Sequence, residues 1–178
     1  GQGVDTVWLG DQTFFGATTI GDEDSDLVVF DLTNPGSDSL DWVFNFEVGA
    51  SSVHSGNGDL VYLTGPSNQV ADTATNFIGA GGLIKTPSGD TVFASLDAAV
   101  SYIELTSALG GDSLLSAGEL VLFKATDNNE TATFIGYAGS ASDITYAIKL
   151  VGVVVPANYG LIENGSGSDV YFIGPPTG

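Results

Sequence analysis

Four short runs in this chain share one pattern, an aspartate followed at once by apolar strand-formers. They are Val4-Asp5-Thr6-Val7-Trp8-Leu9, Ser25-Asp26-Leu27-Val28-Val29-Phe30, Gly58-Asp59-Leu60-Val61-Tyr62-Leu63 and Ser168-Asp169-Val170-Tyr171-Phe172-Ile173. The first and last also fit G-x-G-x-D-x-U-x, where U is a large apolar residue, through Gly1, Gly3, Asp5 and Val7 and through Gly165, Gly167, Asp169 and Tyr171. Such a unit has a direct physical reading. Its glycines turn the chain at positive φ, its aspartate and turn carbonyls offer hard oxygen ligands, and U begins a short buried strand. The copies are irregularly spaced, which predicts a degenerate repeat rather than a regular solenoid.

The balance of charge narrows the partners. Among 178 residues there are 22 acidic side chains against three lysines, with no arginine, for a formal charge of −19. No basic patch can be assembled to meet phosphates, so nucleic-acid binding is excluded, and anionic membrane surfaces are disfavoured. Charge of that size strains the compact state unless cations or salt relieve it. With 43% apolar residues the chain still has material for a core, unlike a disordered acidic tail. Cysteine is absent, so disulfides and thiolate metal sites do not contribute. No apolar run approaches the ~20 residues that span a bilayer. Methionine is also absent, and a chain that follows processing or belongs to a longer protein is expected.

Strands are predicted at 6–9, 27–32, 42–48 and 60–63, separated by turns rich in Gly, Asp, Asn and Ser. In 42–48, Trp42, Phe44, Phe46 and Val48 alternate onto one face. One helix is predicted near 96–109, with Leu96, Ala99, Val100, Ile103 and Leu109 on its apolar face, Ser95 as its cap and Gly110-Gly111 as its stop. Further strands are expected at 119–125, 131–137 and 144–155, the first two joined as a hairpin through Asp127-Asn128-Asn129-Glu130. The fold class is therefore mainly β: a short-stranded β-sandwich, or an irregular β-roll with solenoid-like sheets, with one short helix. One domain spans 1–178. If it divides, Gly79-Ala80-Gly81-Gly82 is the hinge between a β lobe at 1–80 and a helix-plus-β lobe at 81–178.

A resemblance follows from these elements. The helix in 95–109, Gly118-Glu119-Leu120-Val121-Leu122-Phe123, the Asp/Asn turn after it and Ile148-Lys149-Leu150-Val151-Gly152-Val153 resemble C-terminal regions of RTX-type, type I-secreted bacterial surface proteins, including S-layer proteins and adhesins. The resemblance covers about half of the chain. It implies an extracellular, cell-surface location and calcium held at glycine–aspartate turns. The pattern departs from the family in lacking tandem repeats, and Asn164 stands where the last copy would carry its first glycine.

Candidate calcium ligands are Asp5 and Asp11, the cluster Asp22, Glu23, Asp24 and Asp26, and then Asp59, Asp127, Asn129 and Asp169. Calcium takes six to eight oxygens, and alternating carboxylates on a turn can converge on one ion. Asp22-x-Asp24-x-Asp26 opens like an EF-hand loop, but Leu27 and Thr33 occupy the positions where that loop needs glycine and glutamate. Catalytic parts are scarce. His54 is the sole histidine, no G-x-S-x-G occurs, and no arginine can clamp an anionic substrate. The chain is expected to be a non-enzymatic extracellular structural subunit, stabilised by calcium, that forms a homo-oligomer or polymer through β edges and termini. The rival expectation is a carbohydrate-binding module that engages cell-surface glycans through exposed rings among Trp8, Trp42, Tyr137, Tyr146 and Tyr159. A third is a secreted glycoside-active enzyme with two facing carboxylates.

Overall fold

The computed structural model describes residues 4–9, 25–32, 39–54, 58–65, 69–71, 78–85, 92–109, 115–141, 143–165, 167 and 169–177. It is mainly β, with one α-helix among the described residues. The strands are β1 (Thr6–Trp8), β2 (Leu27–Asp31), β3 (Ser39–Phe44), β4 (Leu60–Thr64), β5 (Gln69–Val70), β6 (Val92–Phe93), β7 (Glu119–Asp127), β8 (Glu130–Ser140), β9 (Asp143–Val151), β10 (Gly160–Glu163) and β11 (Val170–Gly174). The helix α1 spans Leu96–Leu109.

Two sheets stack, and the helix covers part of the larger one. The large sheet runs β1-β3-β9-β8-β7, with β5 and β6 both pairing the far edge of β7. The small sheet runs β10-β11-β4-β2. Between the sheets lies one core, which includes Val28, Phe30, Val43, Val61, Leu120, Leu122, Ile135, Ile148, Leu150, Tyr171 and Ile173. A second core fills the opposite face of the large sheet, where Ala99 and Ile103 of α1 meet Phe93, Val121, Phe123, Ala125 and Phe134. Strands β7, β8 and β9 are therefore buried on both faces, which is why they are near-continuous apolar runs.

Local chemistry sets the element ends. The β7–β8 hairpin closes on Asn128 and Asn129 with φ of 50° and 67°, the two-residue left-handed turn that asparagine tolerates. Ser95 caps α1 by accepting the Ala98 amide at 3.0 Å. Two strands stop well short of the end that the residue pattern predicts. β3 ends at Phe44 because Asn45 turns to φ 61°, where its side-chain amide donates to the Leu9 carbonyl at 3.1 Å. That turn breaks the alternation, so Phe46 enters the core between the sheets while Trp42 and Phe44 stay on the opposite face. β9 ends at Val151, where Gly152 takes φ 78°.

Strands from before and after residue 80 share both sheets. The Gly79–Gly82 stretch, expected as a hinge, is a 3-10 turn on the sheet edge, with its Ala80–Gly82 part beside β10. The approach there is close: a Cβ on Gly160 would stand 2.6 Å from the Ala80 carbonyl oxygen and 2.7 Å from Gly81 Cα. Backbone on both sides leaves nothing soft to move. Gly160→Ala is expected to destabilise the fold by about 1–3 kcal/mol, read as a lowered melting temperature with unchanged secondary structure.

Candidate functional site

The N-terminal strands alternate between sheets: β1 in the large one, β2 in the small one, β3 in the large one, β4 in the small one. Taken in chain order, the four strands thus fall twice on each side of the core between the sheets. β1 lies parallel to β3 with Thr6 opposite Trp42, Val7 opposite Val43 and Trp8 opposite Phe44. β2 lies parallel to β4, from Leu27 opposite Leu60 to Asp31 opposite Thr64. These are two stacked rungs of a β-roll, and β1 with β2 forms the outer one.

Each pair is fastened by an aspartate at its start. The Asp5 amide donates to Asp41 Oδ1 at 2.7 Å, and the Asp26 amide donates to Asp59 Oδ1 at 3.0 Å. The bonded residues stand 36 and 33 positions apart in sequence. Asp59 also accepts the Glu47 amide through Oδ2 at 2.7 Å. Tyr146 donates its hydroxyl to Asp41 Oδ2. Both clamping carboxylates are buried, at 4% exposure for Asp41 and 2% for Asp59. Burial raises the Asp59 pKa, against the opposing pull of its two amide donors. Burial also pushes the Tyr146 phenol far up, reinforced by its bond to Asp41 and by the negative charge of Asp41 and Asp5, so it stays a donor.

Side chains repeat as well. Two residues after the aspartate, every strand of the roll carries an inward valine: Val7, Val28, Val43 and Val61. Three residues after it come Trp8 and Phe44, whose rings stack face to face across the strands with centroids 3.9 Å apart and planes 12° apart. Trp42 leans on Phe44 at 6.3 Å, and Lys149 caps Trp42 at 4.7 Å while it pairs with Asp127. Trp8 is 53% exposed although one of its faces is covered by Phe44.

The outer edge of the first rung follows from the ladder. The Asp5 carbonyl accepts the Trp42 amide and the Leu9 amide donates to Phe44, so the backbone groups of Thr6 and Trp8 point away from β3. The same alternation, from Asp26 to Leu60 and from Leu32 to Thr64, turns those of Leu27 and Val29 away from β4. Leu27 and Val29 are 53% and 54% exposed. Between the two outer strands opens a cleft of about 300 Å³ lined by Asp5, Thr6, Val7, Val29, Asp31 and Tyr146.

The candidate ligands fall in separate places. Asp5 and Asp26 lead the outer strands, and the Asp26 amide donates to the Asp59 carboxylate. Asp127 and Asn129 sit at the β7–β8 hairpin. Asp169 lines a wider cleft of about 690 Å³ with Gln69, Gly81, Glu163 and Tyr171. There the Tyr171 phenol is pushed up to about 12 by burial, with Glu163 and Asp169 adding to it. Asp11, Asp22, Glu23 and Asp24 lie outside the described residues. Among the described residues, no three histidine, aspartate or glutamate side chains gather as a metal site.

Sequence reasoning passed over Asp41, although Asp41-Trp42-Val43-Phe44 repeats the signal of the other Asp-led runs. His54 brings Nε2 within 3.1 Å of Ser25 Oγ and 2.9 Å of the Gly58 carbonyl, to which Ser25 itself donates at 2.8 Å. With the serine proton on that carbonyl, His54 serves as a donor, and the trio latches the starts of β2 and β4. No helix among the described residues is long and apolar enough to cross a membrane.

The fold and site define a class: a two-sheet β domain whose N-terminal end is an Asp-clamped β-roll. Comparison with protein-family models, curated proteins and solved structures finds no match.

Proposed function

We propose that the chain is a non-enzymatic structural module of the extracellular surface that self-associates through its outermost rung, with calcium relieving repulsion between its acidic copies. One observation carries this reading. The rung that ends both sheets presents outward-facing backbone together with half-exposed Trp8, Leu27 and Val29, the kind of edge that pairs with another chain. The formal charge of −19 opposes association of like copies, so cations are the natural control. Calcium at the acidic turns is part of the proposal, as is the extracellular setting, where that ion is abundant.

Sedimentation velocity over a range of protein concentrations tests this. The expected result is a growing mean mass, raised further by calcium than by sodium at matched ionic strength. The double variant Leu27→Lys, Val29→Lys is expected to weaken association at least tenfold while leaving the melting temperature within a few degrees, because both side chains face solvent. A monodisperse monomer in calcium at high concentration, or a double variant that associates like the parent, contradicts the reading. Trp8 supports a second one, carbohydrate binding, since the ring face turned from Phe44 is available to a sugar. Saturable quenching of Trp8 by soluble glycans would favour it.

A further inference from the structure

We infer that the outermost rung takes a third rung of its own kind: a strand pair of pattern Asp-x-Val-aromatic and Asp-x-Val-x-apolar, docked parallel and in register on β1 and β2. This rests on the reading of that rung as an interaction surface and adds the chemistry of its occupant.

Four repeating features specify the occupant. Both existing pairs are parallel and in register along their whole length. In both, the aspartate amide of the outer strand donates to the aspartate carboxylate of the inner strand. Valine follows at the second position in all four strands, where it faces the core. At the third position of the large-sheet pair, ring lies flat on ring. Stacking on adjacent strands directs the ring normals across the strands, so the face of Trp8 turned from Phe44 looks off the β1 edge, along the direction in which the sheet would grow. An aromatic side chain one strand further out would meet it as Trp8 meets Phe44.

Register decides this against a generic sticky edge. An antiparallel or shifted strand would satisfy the backbone groups of Thr6 and Trp8. It would not place a valine beside Val7 and Val28 and a ring over Trp8 at once, because a one-residue slip sends every side chain to the opposite face. The cleft between β1 and β2 supports the same occupant. It opens onto the layer that Val7 and Phe30 belong to, and a third rung would close it with its own inward side chains.

The test is a grafted rung. In a variant with residues 5–40 duplicated immediately ahead of Asp5, the new aspartate precedes Asp5 by the 36 residues that separate Asp5 from Asp41. Amide hydrogen exchange at Thr6, Trp8, Leu27 and Val29 is expected to slow at least tenfold relative to the parent. A graft of scrambled sequence is expected to leave those amides unchanged. Unchanged exchange in the ordered graft, with the rest of the domain still protected, overturns the inference. Should the graft misfold, a synthetic peptide of residues 39–48, the strand that already stacks on β1 from the inside, is added to the parent. Slower exchange at Thr6 and Trp8 with that peptide and not with its scrambled form supports docking, and no difference refutes it. The outcomes separate from those of self-association: a parent that stays monomeric while the graft docks removes the assembly reading and keeps this one.

Discussion

Replacing Asp59 by alanine is expected to lower stability by roughly 2–5 kcal/mol, with a fall in melting temperature on the order of 10 °C. The Asp59 carboxylate accepts the amides of Asp26 and Glu47 while itself 2% exposed. Alanine leaves both amides without their acceptor, at about 1–3 kcal/mol for each donor stranded in the interior. Because Asp26 leads β2, the loss falls on the outer rung, and self-association is expected to weaken along with stability. The titration of Asp59 carries a definite sign. Its folded pKa lies above the ordinary 3.8, so the folded state holds the proton more tightly than the unfolded chain does. That contribution is complete below the ordinary value and is lost as pH rises through the raised one. Denaturant unfolding of the parent and of Asp59→Asn across the acid range is expected to show the parent's relative stability falling with rising pH in that window. A difference that grows with pH would contradict the assignment.

Phe134→Ala is expected to cost about 3–5 kcal/mol, the usual range for a large aromatic truncated in a packed interior. Phe134 is fully buried and stacks on Phe123 with centroids 5.3 Å apart and planes 6° apart, between the large sheet and α1. Removing the ring opens a cavity in the centre of β8, where neighbours on both flanking strands hold the backbone in place. The two substitutions should differ in kind. Phe134 lies on the helix side of the sheet, so its loss lowers the melting temperature but leaves association of the folded protein unchanged. Denaturant unfolding paired with sedimentation separates the two effects.

Much of the architecture was legible in the residues because burial leaves a plain trace. The continuous apolar runs of β7 to β9, the Asn128-Asn129 turn and the spaced apolar positions of α1 each encode a local geometry with few alternatives. The strand ends were less visible. Trp42, Phe44, Phe46 and Val48 alternate perfectly, yet Asn45 adopts a left-handed conformation, which asparagine tolerates and its bond to the Leu9 carbonyl holds. The short strands β5, β6 and β10 carry little pattern of their own and exist because β7 and β11 offer edges to pair with.

For the site, the Asp-led runs were visible but their pairing was not. A spacing of 36 residues in one sheet and 33 in the other hides the repeat, since no single period links the Asp-led runs. Two of the aspartates, Asp41 and Asp59, act as buried acceptors for backbone amides, a role that composition cannot separate from metal ligation. The same side-chain oxygens suit both. Asp41 and Tyr146 meet across 105 residues of sequence, a contact that no local pattern announces.

The most direct measurement of the central claim is amide hydrogen exchange on the unmodified chain at low and at high protein concentration in calcium. If the outermost rung is the surface of self-association, Thr6, Trp8, Leu27 and Val29 gain protection as concentration rises. Val92 and Phe93, at the opposite edge of the large sheet, then stay as they were. Protection that is independent of concentration, or that appears at β6 instead of at β1 and β2, would contradict it.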